Sequence, residues 1–400
     1  MKQAVTEAAL ADIMSVPKTV VGRWREMGKV TPQADGKYDL AAHTHLPPVE
    51  AMLTSTWRED IEQPARDYSC VELFAGAGGM ALGLEAAGFE SECLYELDRD
   101  ACNTLRRNRP YWNVYEGDVS DVDFTRHRGI DVVAGGFPCQ AFSDAGKRMG
   151  FHDTRGTLFY EFARAIKEAR PRVFVGENVR GLITHDKGRT LGTIKQVLTE
   201  LGYALIEPEV LKGIFHRVPQ KRERLFLIGV RNDLTGTFKW PSPCHRIFTL
   251  RDALHAGELY PTNCPKSFGV SYPPKRAAIL KLIPPGGWWV DLPEELQRSY
   301  LGRSIDTAGG MTSTARRLSW DEPSLTLVCS PSQKQTERCH PDETRPLTLR
   351  EYARIQTFPD DWGFSGTVRS RYKQIGNAVP CNLAEAVGHS VIALLNSMEP

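Results

Sequence analysis

The chain has 400 residues, with 50 Lys and Arg against 49 Asp and Glu, a formal charge of +1 and 41% hydrophobic residues. That is an ordinary globular composition, long enough for two or three domains each with its own core, and it excludes a wholly basic nucleic-acid coat. No stretch approaches the ~20 uncharged apolar residues of a membrane span, and Met1-Lys2-Gln3-Ala4 does not open a signal peptide, so the expectation is a soluble cytoplasmic protein without a membrane partner. The 9 cysteines are scattered and never form C-x-x-C, which points to free thiols and to no metal site.

From Thr6 to about Leu40 the sequence reads E-A-A-L-A-D-I-M, S-V-P, K-T-V-V-G-R-W-R-E-M-G and then the turn-rich P-Q-A-D-G-K-Y. This predicts two short helices, a tight turn and a hairpin-like wing. Lys18, Arg23, Arg25 and Lys29 face only Glu26 in charge, so the second helix is basic. The segment resembles a winged helix-turn-helix of the MerR or excisionase type; a helical appendage with a solvated face accounts for the same residues equally well. Thr44 to Pro64, with Pro47-Pro48 and Pro64, reads as linker.

At Tyr68 short apolar runs begin to alternate with helical stretches, the pattern of a parallel α/β sheet. Strands are predicted at 70–74, 92–95, 130–134, 172–175 and 225–230, and helices at 79–87, 99–107, 157–169 and 189–201. After Arg231 the alternation stops, and 235–345 reads as an irregular second domain rich in Pro, Gly, Ser and Thr. An apolar-periodic helix over 383–395 ends the chain.

The first strand runs into Ala75-Gly76-Ala77-Gly78-Gly79, and Glu96 ends the next strand twenty residues beyond Gly76. Glycines let the backbone approach a ligand and a carboxylate accepts from a ribose diol, so a nucleotide-type cofactor is indicated, either a nicotinamide or S-adenosylmethionine. The next strand ends carry Gly-Gly-Phe-Pro-Cys139 and Gly-Glu177-Asn-Val. Both strand ends face the same crevice of a doubly wound sheet, which implies a thiol nucleophile beside a carboxylic acid.

The strings F-A-G-A-G-G, G-G-F-P-C-Q-A-F-S, G-E-N-V, Q-K-R-E-R, R-P-L-T-L-R-E-Y-A-R-I-Q-T-F-P-D and Y-K-Q-I-G-N-A-V-P occur in the order found in DNA (cytosine-5)-methyltransferases. The chain resembles the bacterial restriction-modification members of that family from Ser69 to its C-terminus. The resemblance implies a class I S-adenosylmethionine-dependent methyltransferase sheet, Rossmann-like and α/β, with a smaller irregular target-recognition domain. The division expected is 1–66 for the helix-turn-helix-like extension and linker, 67–234 for the catalytic domain, 235–371 for target recognition and 372–400 completing the catalytic domain. It also implies Cys139 as nucleophile, Glu177 at the ring nitrogen of cytosine, and Arg222 and Arg224 holding the base and the carboxylate.

For S-adenosylmethionine it implies Phe74 against the adenine, Gly76, Gly78 and Gly79 near the methionine end, Glu96 on the ribose and Asp118 on the adenine amino group. Leu97, Val119, Pro138, Asn377 and Val379 complete that set; Leu97 stands where many relatives carry an aromatic or other bulky residue. DNA contacts are implied for Thr326 and for Gln140, Ser143, Lys147, Arg148 and Arg155 on a loop long enough to close over a flipped nucleotide. Arg316, Arg317, Lys334 and Arg338 are candidates for base or phosphate contact. The partners expected are double-stranded DNA, bound by a monomer, and in function a restriction endonuclease. Three alternatives stand beside this reading: a related enzyme acting on transfer RNA, a transcription regulator with a secondary methyltransferase domain, and a dehydrogenase using the same glycine turn.

Overall fold

A computed structural model describes residues 3–138, 157–302, 305 and 314–399. The first elements are β1 (Ala4–Val5), α1 (Glu7–Met14), α2 (Lys18–Glu26), β2 (Tyr38–Asp39) and α3 (Pro47–Leu53). The Thr6 side chain caps α1, and Ser15, at φ 58°, ends it. The two-helix expectation matches these elements, but the wing differs: β2 pairs antiparallel with β1 and not with a sequence-adjacent strand.

The segment expected to be linker is also built differently. Pro47 and Pro48 stand at the start of α3, where a missing N–H breaks no helical bond, so they begin a helix. Val49 and Met52 then bury against Leu10, Ile13 and Val21, and the same core takes in Ile214 and Ile247 from downstream. Residues beyond α3 are tied down as well, Asp60 by Lys239 at 2.8 Å and the Ala65 N–H by the Asn396 side chain at 2.9 Å.

The main body follows as β3 (Tyr68–Leu73), α4 (Gly79–Ala87), β4 (Phe89–Glu96), α5 (Arg99–Asn108), β5 (Val114–Glu116), β6 (Val132–Gly136), α6 (Leu158–Ala169), β7 (Val173–Val179), α7 (Arg189–Glu200), β8 (Tyr203–Leu205), β9 (Glu209–Lys212), β10 (Gln220–Lys221) and β11 (Glu223–Arg231). Strands lie in the order β5-β4-β3-β6-β7-β11-β8, with β9 also on β11. β3 to β7 are parallel and β11 is antiparallel to β7. The strand order reverses direction between β3 and β6, which opens a crevice at their carboxyl ends. All five predicted strands and four predicted helices fall on observed elements; β8 and β9 were not foreseen.

The remainder comprises α8 (Leu250–Leu254), α9 (Pro274–Leu280), α10 (Glu294–Leu301), β12 (Arg316–Arg317), β13 (Ser324–Leu325), β14 (Arg338–Cys339), α11 (Leu349–Ile355), α12 (Val368–Asn377) and α13 (Cys381–Asn396). A small core of Tyr272, Leu280, Ile283, Leu292 and Tyr300 holds the irregular region. The segment 347–364 does not belong to it. Tyr352, Phe358 and Trp362 pack with Leu105 and Trp112 of the main body, so the chain's return to the catalytic side begins before 372.

α12 and α13 form the one helical stretch among the described residues that is long and apolar enough to cross a membrane, yet 72% of its apolar window is buried in the protein. α13 lies against α4 at backbone distance. A Cβ on Gly83 would meet the Ala384 Cβ at 2.4 Å and the Cys381 carbonyl at 2.5 Å, and one on Gly388 the Ala87 Cβ at 2.6 Å. Alanine ordinarily improves a helix by about 1 kcal/mol over glycine. Here the sign reverses: Gly83→Ala wedges α4 from α13 and costs about 1–3 kcal/mol, read as a lowered urea midpoint.

Candidate active site

The crevice begins where β3 breaks. Phe74 turns the chain at φ 59°, followed by Gly76 at 54° and Gly78 at 86°, a region of backbone space that glycine enters without steric cost. The three glycines then part company. A Cβ on Gly76 would meet nothing within 4 Å, so its backbone is open to a ligand. Gly79 is pressed on the Val379 carbonyl, 2.2 Å from where a Cβ would sit. Gly78 points away, toward Leu105, Trp362 and Trp112, and does not line the crevice, which corrects its expected place beside the methionine.

Glu96 reaches back from the end of β4 and accepts from the Gly76 N–H and the Asp98 N–H, each at 2.7 Å. Its carboxylate is thereby aimed, and each oxygen keeps a lone pair for a diol. One cavity of about 660 Å³ contains Glu96, Phe74, Gly76, Pro138, Glu177, Arg222, Arg224, Thr326, Asn377 and Val379. An adjoining space of about 430 Å³ shares Phe74, Glu96 and Pro138 and adds Leu97, Asp118, Val119 and Leu158. Leu97 is 67% exposed and Val119 buried, giving the second space one open and one closed wall. Asp118 accepts from the Ser120 N–H at 2.9 Å, and bonds from Ser120 hold its pKa below the ordinary carboxylate value. Lys373 pairs with Asp98 at 3.0 Å where the two spaces join.

The second half of the crevice is made by β7 and β11. Glu177 lies opposite Phe226 and Arg224 opposite Val179, so the antiparallel register sets the two charged side chains diagonally on one face. Arg224 Nε donates to Glu177 Oε1 at 2.7 Å. Burial raises the Glu177 pKa above its ordinary value, with Arg224 and Arg222 pulling the other way. A Cβ on Gly136 would come within 2.8 Å of Glu177 Oε2, so that glycine leaves the space the carboxyl occupies.

Arg222 behaves differently from Arg224. It is 2% exposed and donates to the carbonyls of Leu327 (3.3 Å) and Gly376 (3.0 Å), strapping the start of β11 to the last turn of α12 and to the segment after β13. Burial and the neighbouring Arg224 push its pKa down to about 9. Gln220, one turn of the pleat earlier, bonds the Leu327 N–H at 2.8 Å and the Gln356 side chain at 2.8 Å. Thr326 lines the crevice while its hydroxyl donates to the Lys221 carbonyl.

Cys139, Gln140, Ser143, Lys147, Arg148 and Arg155 lie outside the described residues. Pro138, the last before them, is fixed by its surroundings: Asn178 Nδ2 donates to the Phe137 carbonyl at 2.8 Å. Asn178 was not singled out from sequence, although it stands in the same Gly-Glu-Asn-Val string. Leu158, Cys329 and Glu72 also line the crevice unforeseen. Of the basic candidates downstream, Arg317 and Arg338 are buried. Arg317 spends its guanidinium on the carbonyls of Ile283, His340 and Leu280, which corrects its reading as a DNA contact.

Residues 68–393 match the model of the C-5 cytosine-specific DNA methylases. The chain belongs to that family. It is an enzyme, a DNA (cytosine-5) methyltransferase that uses S-adenosylmethionine. It is 56% identical to the Type II methyltransferase M.Eco47II of Escherichia coli over 100% of this chain and 97% of that protein. It is 55% identical to the Type II methyltransferase M.PspPI of Psychrobacter sp. (strain TA137) over 98% and 96%. Among solved structures, a putative prophage-encoded DNA modification methyltransferase of E. coli matches with a TM-score of 0.59 at 23% identity, covering 82% of this chain and 100% of that one. The Dnmt2 methyltransferase of S. pombe matches with a TM-score of 0.55 at 17% identity, covering 82% and 98%. These last two are likenesses of fold.

The donor set fits the cofactor: an open glycine backbone, an aimed carboxylate and a partly apolar pocket stand in one continuous crevice. Glu72 adds a further acid to its floor. It is 3% exposed, Oε2 has no hydrogen-bond partner among the described residues, and burial, with Glu96 nearby, holds its pKa well above the ordinary value. A carboxyl whose pKa is raised on folding favours the fold fully below the unfolded-state pKa and loses that advantage as pH rises toward the folded value. Glu72→Gln in the methylase therefore raises Tm at about pH 8 and leaves it nearly unchanged at about pH 4; differential scanning fluorimetry at the two pH values checks this.

Proposed function

We propose that the methylase modifies one cytosine within a short recognition sequence of double-stranded DNA, and that Cys139 forms a covalent bond to C6 of that base after it has been flipped out of the duplex. The observation that carries this reading is the buried Glu177–Arg224 pair, opening into the same crevice as Glu96 and Gly76. A base stacked in a helix cannot reach such a crevice, and flipping costs a few kcal/mol.

Bound S-adenosylmethionine supplies an electrophilic methyl group. The Cys139 thiolate adds to C6, and the displaced electron pair makes C5 nucleophilic toward that methyl. Glu177, protonated, donates at N3 as charge grows on the ring. Arg224 fixes the carboxyl, and Arg222 holds the strand that carries it. A water-borne base then takes the C5 proton, the bond to Cys139 breaks to release the thiolate, and the N3 proton returns to Glu177, which restores the ring. Phe74, Leu97, Asp118 and Val119 take the adenine, Glu96 the ribose, and Gly76, Gly79, Asn377 and Val379 the methionine side. Thr326 and the loop bearing Gln140, Ser143, Lys147, Arg148 and Arg155 contact the DNA.

The bodies that serve these steps are 1–66, 67–234 with 372–400, and 235–371 for target recognition, the last part of which packs on the catalytic side. The relatives named M.Eco47II and M.PspPI are Type II methyltransferases. We extend to this chain the matching role: protection of host DNA from a partner endonuclease, in the bacterial cytoplasm, by a monomer on DNA.

Bisulfite sequencing of host DNA with and without the gene tests the reading and maps the methylated cytosine. Absence of any new protected cytosine overturns it. Cys139→Ser, whose alcohol ionises far less readily, abolishes transfer while leaving the thermal transition in place; a duplex with 5-fluorocytosine at the target traps wild type at Cys139 and traps the variant nowhere. Glu177→Gln lowers kcat by about 10²–10⁴-fold with a modest change in DNA affinity. Single-turnover methyl transfer and a filter-binding titration separate the two effects.

A further inference from the structure

A second cleft, about 540 Å³, opens where the N-terminal helices meet the catalytic body. Asp12, Ser15 and Pro17 line it from the α1–α2 turn, and Arg180, Lys212 and Lys221 from the catalytic side. It adjoins the active site. Arg222 lines both clefts; Val179 and Arg224 face the active site, while their chain neighbours Arg180 and Glu223 face the second cleft. Along β11, strand alternation separates Glu223 from Arg224, since successive side chains leave a strand on opposite sides, while Arg180 opens the turn that follows β7.

The charges there do not balance. Asp12 is occupied by Lys221 at 2.7 Å and Glu223 by Arg180 at 2.8 Å. Lys212 lies opposite Glu223 in the β9–β11 register but makes no ion pair within 4 Å among the described residues; its ammonium meets the Ser15 hydroxyl and lies 5.7 Å from the Phe215 ring. Beyond the turn, α2 starts after Pro17 without a side-chain cap, and Lys18 and Arg23 are exposed with no ion pair among the described residues. Cations therefore run from the active-site mouth across the turn to the basic helix.

The module that carries this helix is clamped in place. The Gln3 side chain makes two hydrogen bonds to the Ile247 backbone, at 2.8 and 3.1 Å, and Ile214 and Ile247 share the module's core.

We infer that the α1–α2 turn, with Lys18 and Lys212, continues the DNA track of the active site, gripping backbone phosphates on one flank of the recognition sequence in the same duplex that delivers the cytosine. This rests on the DNA-methylase reading above. Duplex DNA presents a phosphate charge about every 1.7 Å of its axis, so a duplex held at the active site carries many phosphates past a neighbouring cleft.

The test uses full-length protein and two duplexes bearing the cytosine mapped by bisulfite sequencing. One spans only the recognition sequence; the other extends about two helical turns to either side. Each lost phosphate contact lowers the slope of log K against log salt by about 0.9. Lys18→Ala with Lys212→Ala should reduce the slope by about 2 on the long duplex and leave it unchanged on the short one. Hydroxyl-radical footprints should shrink on one flank only.

Equal slopes for wild type and variant on the long duplex overturn the inference. So does binding of two long duplexes per chain, which would make the module a site for separate DNA. Lys212 is part-buried, so Lys18→Ala alone, with about half the effect, carries the test if the double variant loses its melting transition. Wild type that methylates neither duplex shows that the underlying reading has failed; wild type that methylates both, with unaltered slopes in the variants, shows that only this inference has.

Discussion

The acid–arginine half of the crevice depends on one pairing: β11 runs antiparallel to β7, whose other neighbour, β6, is parallel to it. Parallel strands would bring carboxyl end beside carboxyl end, and Glu177 would face another strand's terminus. The antiparallel register instead sets the start of β11 beside the end of β7, so the acid of one motif meets the arginine of another that lies far along the chain. Two charges buried together are stable only when geometry and hydrogen bonding are good, because the desolvation cost is large. The 2.7 Å contact supplies the geometry. Removing Glu177 would leave the buried guanidinium of Arg224 alone, which is a stronger constraint on that position than the strength of the pair itself.

A second constraint closes the crevice from behind. α13 touches α4 through glycines, and the Val379 carbonyl sits on Gly79, so the segment carrying Asn377 and Val379 is held against the turn that carries Gly76. Gln220 and Gln356 reinforce this from the other side. Gln356 Nε2 donates to the Ile375 carbonyl at 2.7 Å and its oxygen accepts from Gln220, so two distant motifs are joined by buried amides. Such a network is costly when partly satisfied and rigid when complete. Here it fixes the walls of the crevice, and fixed walls are the preorganisation that electrostatic catalysis requires.

Much of this was legible in the sequence because the informative signals are local. Strand, glycine turn and helix follow one another at 68–87, and the spaced Glu96 lands on the Gly76 N–H. The apolar run at 225–230 marks β11, while Gln220, Arg222 and Arg224 ahead of it are legible only through the motif they belong to. What was not legible depends on long-range contact. Gly78 carries the same letter as Gly76, but only the packed rings of Trp112 and Trp362 show that it serves the core. The Pro-Pro pair at 47 is equally at home in a linker and in the first turn of a helix, and burial of Met52 decides. Arg317 reads as a surface cation until the carbonyls around it are seen. Asn178 has no chemistry of its own, and its value lies in the carbonyl it holds.

The docking of the N-terminal module follows the same logic. Its family match begins only at 68, yet relatives at 55–56% identity align with 98–100% of the chain, so the extension is shared within that group. A tethered accessory domain would need only a flexible connection. This one instead buries Ile214 and Ile247 in its own core and spends Asp12 on Lys221 of the Gln-Lys-Arg-Glu-Arg string. Lys221 is the residue between Gln220 and Arg222, both of which are committed to the catalytic walls. A shift of the module would therefore be felt at the strand that positions Arg224, and the extension packs as part of the structure that holds that strand in place.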